Sequence, residues 1–291
     1  MKKFTLVSAA LATSLVLAAC GDKADDKNKD EATGTDDEKD INLVYVEWDT
    51  EVASTNVVGE VLKDMGYNVT LTPLDNGVMW ESIAKGEADA MVAAWLPKMH
   101  APKMEQYKDD VMELGPNLEG ARVGLVVPKY MEVDSIADLS DEANKTITGI
   151  EPGANTMEIT ENLATDYPNL SDWSVAASSS GAMTVALGQA YENEEDIVVV
   201  GWSPHWKFAK YDLKYLEDPK EAYGTTESIH TVTRLGLDKD KPEAFELLDN
   251  FYWTSEDSET VMKAISEGAD PKDAARDWIE ANEDTVEGWK K

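Results

Sequence analysis

From residue 41 onward, short apolar runs alternate along the chain with stretches whose apolar residues recur at helical spacing. Eight runs are brief, apolar or alternating, and bounded by turn residues, which predicts strands: 41–47, 68–74, 88–94, 122–127, 146–150, 173–177, 197–201 and 230–235. The stretches with helical periodicity are 54–65, 78–85, 155–167, 181–191, 242–253, 258–267 and 271–281. Strands that alternate with helices in this way predict an α/β protein with a parallel sheet wound with helices.

The α/β pattern falls into two successive blocks that are joined by two extended segments. We therefore predict two lobes linked by a double crossover. One lobe is predicted at 41–128 together with 231–291, and the other at 129–230. At 291 residues the chain is long enough for two such lobes.

The N-terminus follows a different pattern. Two lysines precede a charge-free apolar run, 6–19, which is too short for a comfortable membrane span and is typical of the hydrophobic part of a signal peptide. The run ends in LAACG, which resembles a bacterial lipoprotein signal in which the cysteine becomes the lipidated first residue. We predict a signal peptide at 1–19 and lipidation at Cys20. As the only cysteine, Cys20 excludes an intramolecular disulfide and a cysteine-rich metal site.

The segment 20–40 is almost wholly polar and mostly charged, so it cannot bury a core. We predict a disordered acidic tether that displays the folded part outside a membrane. The whole chain carries a formal charge of −32. Nucleic acid and anionic lipid are therefore excluded as direct partners, because phosphate binding needs Lys and Arg. Membrane attachment is expected through the lipid anchor alone.

Motifs for catalysis and for cofactor binding are missing from the sequence. It has no G-x-S-x-G elbow, no calcium-loop pattern and no glycine-rich phosphate motif. The three histidines, His100, His205 and His230, lack the spacing of a zinc site. We expect no cofactor, no metal and no enzyme activity, although a surface-anchored hydrolase or lyase that uses carboxylates stays as an alternative.

Tryptophans are the most abundant candidates for a binding site in this sequence. Trp48, Trp95 and Trp202 each follow a predicted strand at its C-terminal end, where open α/β sheets bind ligands. Indole faces attract a quaternary ammonium, which cannot donate hydrogen bonds. A tryptophan at a strand end can also pack under a loop, but three in one topological position favour a shared aromatic site. We interpret the others as packing residues: Trp80, Trp173, Trp206, Trp253, Trp278 and Trp289.

Four segments carry a family resemblance: WDTEVASTNVV, AWLPKMH, GIEPGANTM and VGWSPHW. They resemble the glycine betaine-binding lipoproteins of osmoprotectant ABC importers, and the similarity spans essentially the whole chain after the tether. The resemblance implies a two-lobed periplasmic-binding-protein fold of type II that closes around its ligand. It also implies that three tryptophans box a trimethylammonium group, and these fall on Trp48, Trp95 and Trp202.

The resemblance further implies how a ligand carboxylate would be held. It places the family's carboxylate-binding histidine on His100 and the other contacts on the backbone N–H groups of Asn155 and Thr156. Those amides open a predicted helix, and a helix N-terminus favours an anion. Backbone contacts tolerate the Asn155 and Thr156 side chains, which differ from the smaller or apolar residues of some relatives. We interpret His205 and His230 as structural.

The sequence thus predicts a lipid-anchored, monomeric solute-binding protein on the extracytoplasmic face of a bacterial membrane. It is expected to capture glycine betaine and deliver it to an ABC permease. Choline, carnitine, proline betaine and the sulfonium dimethylsulfoniopropionate remain as alternative ligands. Two other classes remain as well: the hydrolase or lyase would turn over a trimethylammonium compound, and a purely adhesive surface protein would not be stabilised by any of these ligands.

Overall fold

The computed structural model describes residues 39–291. The predicted signal peptide, the lipidation site at Cys20 and nearly all of the tether lie outside the described residues. The strands are β1 (Asp40–Tyr45), β2 (Asn68–Pro73), β3 (Ala90–Leu96), β4 (Val111–Pro128), β5 (Thr146–Thr148), β6 (Ser174–Ala176), β7 (Val198–Ser203), β8 (Leu213–Tyr215) and β9 (Glu227–Arg234). The helices are α1 (Asp49–Asp64), α2 (Asn76–Ala84), α3 (Ala101–Tyr107), α4 (Asn155–Glu161), α5 (Ser180–Glu192), α6 (Lys207–Lys210), α7 (Leu237–Asp240), α8 (Pro242–Asn250), α9 (Ser255–Ser266), α10 (Pro271–Ala281) and α11 (Glu283–Trp289).

Helix α1 shows how the apolar pattern becomes structure. Val57, Val58, Val61 and Leu62 recur at helical spacing, and all four are buried. The helix ends at Asp64, two residues before Gly66, whose φ of +87° is the left-handed conformation that glycine adopts without strain. The helix also begins five residues earlier than the apolar pattern indicates, so its first turn directly follows Trp48.

The sheet has the strand order β2-β1-β3-β9-β4-β7-β5-β6, with β8 paired to β4. Its two ends are parallel: β1 pairs with β2 and β3 at one end, and β5 pairs with β6 and β7 at the other. The middle is antiparallel through the pairs β3–β9, β9–β4 and β4–β7. The prediction of an α/β protein is confirmed, but the sheet that was predicted to be parallel is mixed, because two long strands carry the chain out and back between the parallel ends.

Strand β4 is the first of these connections and is much longer than predicted. Its residues 111–121 pair with β9 and its residues 122–126 pair with β7. The sequence indicated only the second part, because Gly115, Pro116 and Gly120 interrupt the first part, where the register with β9 shifts three times. Residues 39–291 belong to one structural unit, and its division into two lobes stays a prediction.

Other predicted elements differ at their ends. The helix predicted over 155–167 stops at Glu161 and is followed by two short 3-10 turns, Leu163–Thr165 and Pro168–Leu170. The helix predicted over 242–253 stops at Asn250. The elements that the pattern missed are short, from three to seven residues: α3, α6, α7, α11 and β8. Segments of this length hold their shape through packing and carry little periodicity of their own.

Aromatic packing fills the C-terminal part of the core. Trp278 stacks on Trp289 with 5.7 Å between ring centroids and meets Trp253 edge-on at 5.9 Å. Phe251 meets Trp289 edge-on at 5.0 Å. These buried contacts confirm that the three tryptophans serve packing. Among the helices of residues 39–291, none combines the length and apolar character that crossing a membrane requires.

Candidate functional site

One cavity brings together every site residue that the sequence predicted. It is lined by Trp48, Trp95, Met99, His100, Val123, Ile150, Asn155, Thr156 and Trp202. The cavity has a volume of about 30 Å³, so the side chains surround it closely. The mostly apolar lining with a few polar groups is typical of small-molecule sites.

The three tryptophans reach the cavity from three separate places in the chain. Trp48 is the N-cap residue of α1, which follows β1. Trp95 and Trp202 are each the last but one residue of a strand, β3 and β7 respectively. Only Trp48 lies beyond its strand, as all three were expected to do, yet all three indoles are buried at the same place.

The indole N–H groups of two tryptophans donate to carboxylates. Trp95 Nε1 lies 2.7 Å from Glu51 Oε1, and Trp48 Nε1 lies 3.1 Å from Glu151 Oε2. Trp202 differs, because its Nε1 is buried without a hydrogen-bond partner within the described part of the chain. These contacts fix the orientation of two indoles and leave the third held by packing.

The pKa values of two carboxylates in the first turn of α1 are shifted in opposite directions. Burial raises the pKa of Glu51 to about 7 and outweighs its hydrogen bonds from Thr50 and Trp95. Burial also acts to raise the pKa of Asp49, but the nearby His205 ring and the hydrogen bond from Trp206 outweigh it and lower the pKa to about 2. Asp49 is therefore ionised at neutral pH, whereas Glu51 gains or loses its proton near neutral pH.

Asp49 and Glu151 connect the start of α1 to segments far along the chain. Asp49 accepts from Trp206 Nε1 at 2.6 Å and from Ser180 Oγ at 3.2 Å. Glu151 accepts from the Ser180 backbone N–H at 2.7 Å, besides the Trp48 indole. Ser180 is the first residue of α5, so α1, α5 and the segment after β7 meet beside the cavity.

His100 supplies a neutral hydrogen-bond donor to the cavity. Its Nδ1 accepts from the backbone N–H of Trp95 at 2.9 Å, so the ring proton is on Nε2. Burial, together with the charge of Lys103, lowers the pKa of His100 to about 3. The ring stacks on Trp48 with 6.0 Å between centroids and meets Trp80 edge-on at 5.7 Å.

Asn155 and Thr156 are the first two residues of α4. The N-cap residue is Ala154, which has no side chain that could accept from their amides. The side chains are bound elsewhere: Asn155 Oδ1 accepts from Asn76 Nδ2 at 2.9 Å, and Thr156 Oγ1 donates to Met99 Sδ at 3.4 Å. The polar groups that this helix offers the cavity are therefore the uncapped backbone N–H groups.

The other two histidines do not line the cavity. His205 is fully buried, with its Nε2 3.4 Å from Asp49 Oδ2, and burial lowers its pKa to about 4. His230 lies on β9, and its Nδ1 is 2.6 Å from Glu113 Oε1. Both positions agree with a structural role. Within residues 39–291, no three His, Cys, Asp or Glu side chains are grouped so that they could hold a metal ion.

Sequence reasoning missed two kinds of residue at this site. The apolar lining residue Val123 carries no signal that separates it from other core positions, whereas Ile150 stands inside the segment GIEPGANTM. The carboxylates Asp49, Glu51 and Glu151 do carry one, since each stands inside a segment that bears the family resemblance. An acidic residue within three positions of a predicted site tryptophan could have identified the first two.

The mixed α/β sheet and the tryptophan-lined cavity define a solute-binding protein of the periplasmic type. The chain belongs to the OpuAC family, described as the substrate binding domain of the ABC-type glycine betaine transport system, which it matches over residues 39–281. Members of this family are thus binding components of transport systems.

Three similar proteins illustrate this relationship. The glycine betaine/carnitine transport binding protein GbuC of Listeria monocytogenes is 49% identical over 158 residues, which are 54% of this chain and 52% of that protein. The match thus spans about half the length of this relative. Lactococcal OpuAC, solved closed with glycine betaine, is 53% identical with a TM-score of 0.85, covering 87% of this chain and 100% of that one. A choline-binding protein solved with choline is 25% identical with a TM-score of 0.81, covering 88% and 92%.

Proposed function

We propose that the protein captures glycine betaine in this cavity and delivers it to an ABC permease. The observation that carries the proposal is that Trp48, Trp95 and Trp202 line one cavity beside a neutral histidine donor. A trimethylammonium group cannot form hydrogen bonds, so indole faces are the groups that bind it well. Each desolvated contact contributes roughly 0.5–2 kcal/mol.

The carboxylate of glycine betaine would be bound at the polar end of the cavity. His100 Nε2–H is a donor across the whole neutral pH range, because the ring stays uncharged above about pH 3. The backbone N–H groups of Asn155 and Thr156 are free of a capping side chain and lie at the positive end of α4. These donors support a zwitterion with a carboxylate as the ligand.

The alternative ligands differ in which groups of this site they would contact. Choline has no carboxylate that could accept hydrogen bonds from His100 and from the backbone N–H groups at the start of α4. Carnitine and proline betaine carry a carboxylate as well as a quaternary nitrogen, and dimethylsulfoniopropionate replaces that nitrogen with sulfur. These three share the chemistry that supports glycine betaine, and carnitine is named with it for the Listeria relative.

Closure of two lobes is part of the proposal. Trp48 and Trp95 belong to the lobe predicted at 41–128 and 231–291, and Trp202 belongs to the lobe at 129–230. A bound cation would then be enclosed on all sides only when the lobes approach each other, and the permease would recognise that closed state.

The position in the cell is proposed from the N-terminal sequence. After removal of the signal peptide at 1–19, a lipid on Cys20 and the acidic tether at 20–40 would hold a monomer at the extracytoplasmic face of the membrane. Mass spectrometry of the membrane-extracted protein tests the anchor. A mature N-terminus other than a lipidated Cys20 would contradict it.

Isothermal titration calorimetry of the purified protein tests the binding function. We expect glycine betaine to bind without turnover and the Trp202→Ala variant to bind at least tenfold more weakly, because an indole contact is lost. Trp173→Ala is the matched control, since Trp173 does not line the cavity. Unchanged affinity in Trp202→Ala would contradict the aromatic box. Absence of binding, or formation of product, would contradict the proposed function.

A further inference from the structure

The three indoles of the cavity differ in the charge that lies behind them. Trp95 and Trp48 donate their N–H groups to the carboxylates of Glu51 and Glu151. Trp202 has no such acceptor among residues 39–291, and Lys207 Nζ, whose pKa burial lowers, instead lies 4.3 Å from the centroid of its ring. The negative charge behind the cavity wall is therefore concentrated at the two tryptophans that lie near α1.

Glu51 is the more deeply buried of the two carboxylates. Its side chain is inaccessible to solvent, and its oxygens accept from Trp95 Nε1 and from Thr50 Oγ1. Glu51 is not among the residues that line the cavity, so a ligand would sense it through the indole of Trp95. The ion pairs found along α1 join Lys63 and Arg276 to other carboxylates and do not include Glu51.

A buried carboxylate without a cationic partner is costly to the fold. A glutamine at position 51 could accept the same hydrogen bond from Trp95 without burying a charge. The hydrogen bond alone therefore does not explain why this position carries an acid. The negative charge itself must have a function. The nearest functional group is the indole of Trp95, which donates a hydrogen bond to Glu51.

The charge acts on the cavity in two ways. An indole whose N–H donates to a carboxylate gains electron density, which strengthens the negative face that attracts a cation. The carboxylate also attracts a cation directly, because it is buried and lies only one indole width away. Both effects favour a cation and give nothing to a neutral group of the same shape.

We propose that Glu51 is a specificity-determining positioning residue: through Trp95 it makes the cavity prefer a quaternary ammonium over a neutral isostere. The inference rests on the proposed function, since it names what tunes the same site. Glu51 does not contact the ligand. It fixes the Trp95 indole and sets the electrostatic potential that this indole presents.

The environment of Glu51 gives the proposal a pH dependence. Burial raises its pKa to about 7, and the neighbouring charge of Asp49 acts in the same direction. Other titratable groups on the segments packed against the first turn of α1 are His100, Glu151, His205, Lys207 and Glu259. The pKa values of His100 and His205, about 3 and about 4, place both histidines outside the neutral range.

The first test is the Glu51→Gln variant, studied by calorimetry at about pH 8. The ligands are glycine betaine and 3,3-dimethylbutyrate, in which carbon replaces the quaternary nitrogen. We expect the variant to bind betaine about tenfold more weakly and 3,3-dimethylbutyrate, an anion whose head group is uncharged, no more weakly than wild type does. Glu60→Gln is the matched control: Glu60 is buried on the same helix but pairs with Lys63 and Arg276, so both affinities should be unchanged.

The second test is the pH profile of betaine affinity, which needs no variant. Betaine itself does not titrate between about pH 8 and about pH 5.5, but Glu51 takes up a proton there. We expect wild-type affinity to fall across this range towards that of Glu51→Gln, whose own profile should be flat.

The outcomes separate the inference from the function on which it rests. Equal losses for betaine and 3,3-dimethylbutyrate in Glu51→Gln would show a purely structural role and overturn the inference. A wild-type affinity that does not change with pH would overturn it as well, even if the variant failed to fold. A wild-type protein that binds no betaine at about pH 8 would overturn the proposed function itself.

Discussion

Burial and hydrogen bonding together set the pKa values of Asp49, Glu51 and His100 around the cavity. Asp49 and Glu51 stand two residues apart on one helical turn, yet the pKa of one falls to about 2 and that of the other rises to about 7. Asp49 receives hydrogen bonds from Trp206 and Ser180, and His205 Nε2 lies 3.4 Å from it; all three stabilise its charge. Glu51 is fully desolvated, and its two donors do not compensate for that.

His100 should distinguish ligands by their carboxylate. We expect His100→Ala to weaken glycine betaine binding by about tenfold, because the Nε2–H donor to the carboxylate is lost. Choline has no carboxylate and should lose much less. Calorimetry with both ligands measures the difference, and His230→Ala serves as a control outside the cavity. Equal losses for both ligands would remove His100 from this role.

Glu51 should also lower the stability of the ligand-free protein at alkaline pH. Its pKa is raised on folding, so its stabilising contribution is complete below about pH 4.5 and is lost as the pH rises through about 7. We expect Glu51→Gln to raise the free energy of unfolding by about 1–3 kcal/mol at about pH 8 and to leave it unchanged at about pH 4. Urea denaturation at both pH values measures this. A variant that is less stable than wild type at the higher pH would contradict it.

At the scale of elements, the cavity is built where α1, β3, β7 and α4 begin or end. The strands that carry Trp95 and Trp202 could be predicted because they are short apolar runs that stop at a tryptophan. The carboxylates that accept from the indoles were not identified from the sequence: Glu51 accepts from Trp95, and Glu151, 100 residues further along, accepts from Trp48. Only the pairing of β3 and β7 through β9 and β4 brings Trp95 and Trp202 to one cavity.

The first half of β4 is the clearest example of a strand that the sequence pattern could not predict. Residues 111–121 contain two glycines and a proline, which the sequence rules assign to a loop. The structure keeps the strand because β9 pairs along it and accommodates three register shifts. Long-range pairing thus outweighs local propensity here, and no local pattern reports such pairing.

The junction of α1 with α5 and the segment after β7 should be sensitive to acid through Asp49. Its pKa falls on folding, so the stability it contributes is present above about pH 3.8 and is lost as the pH falls towards about 2. We expect Asp49→Asn to lower the free energy of unfolding by about 2 kcal/mol at neutral pH and to make the acid limb of the stability profile shallower. Denaturant unfolding between about pH 2 and pH 7 measures both, with the exposed Asp249→Asn as control. Parallel profiles for wild type and Asp49→Asn would contradict this assignment.

At the scale of the whole molecule, the net charge of the protein and the chemistry of the cavity have separate effects on ligand binding. The chain has 58 acidic and 26 basic residues, so its folded state carries a large net negative charge. Self-repulsion of this kind destabilises a compact state and attracts cations from solution. A zwitterion such as glycine betaine has no net charge and gains little from that long-range field, whereas choline, a net cation, gains more.

Salt should therefore stabilise the protein without weakening its capture of glycine betaine. The screening length falls from about 30 Å at 0.01 M to about 3 Å at 1 M ionic strength, which removes repulsion between surface carboxylates. We expect the Tm to rise by a few degrees over this range, while betaine affinity stays within about twofold and choline affinity falls further. Thermal unfolding and calorimetry at matched sodium chloride concentrations test this. A betaine affinity that falls with salt as steeply as that of choline would mean that the surface field, and not the indoles with their buried carboxylates, holds the ligand.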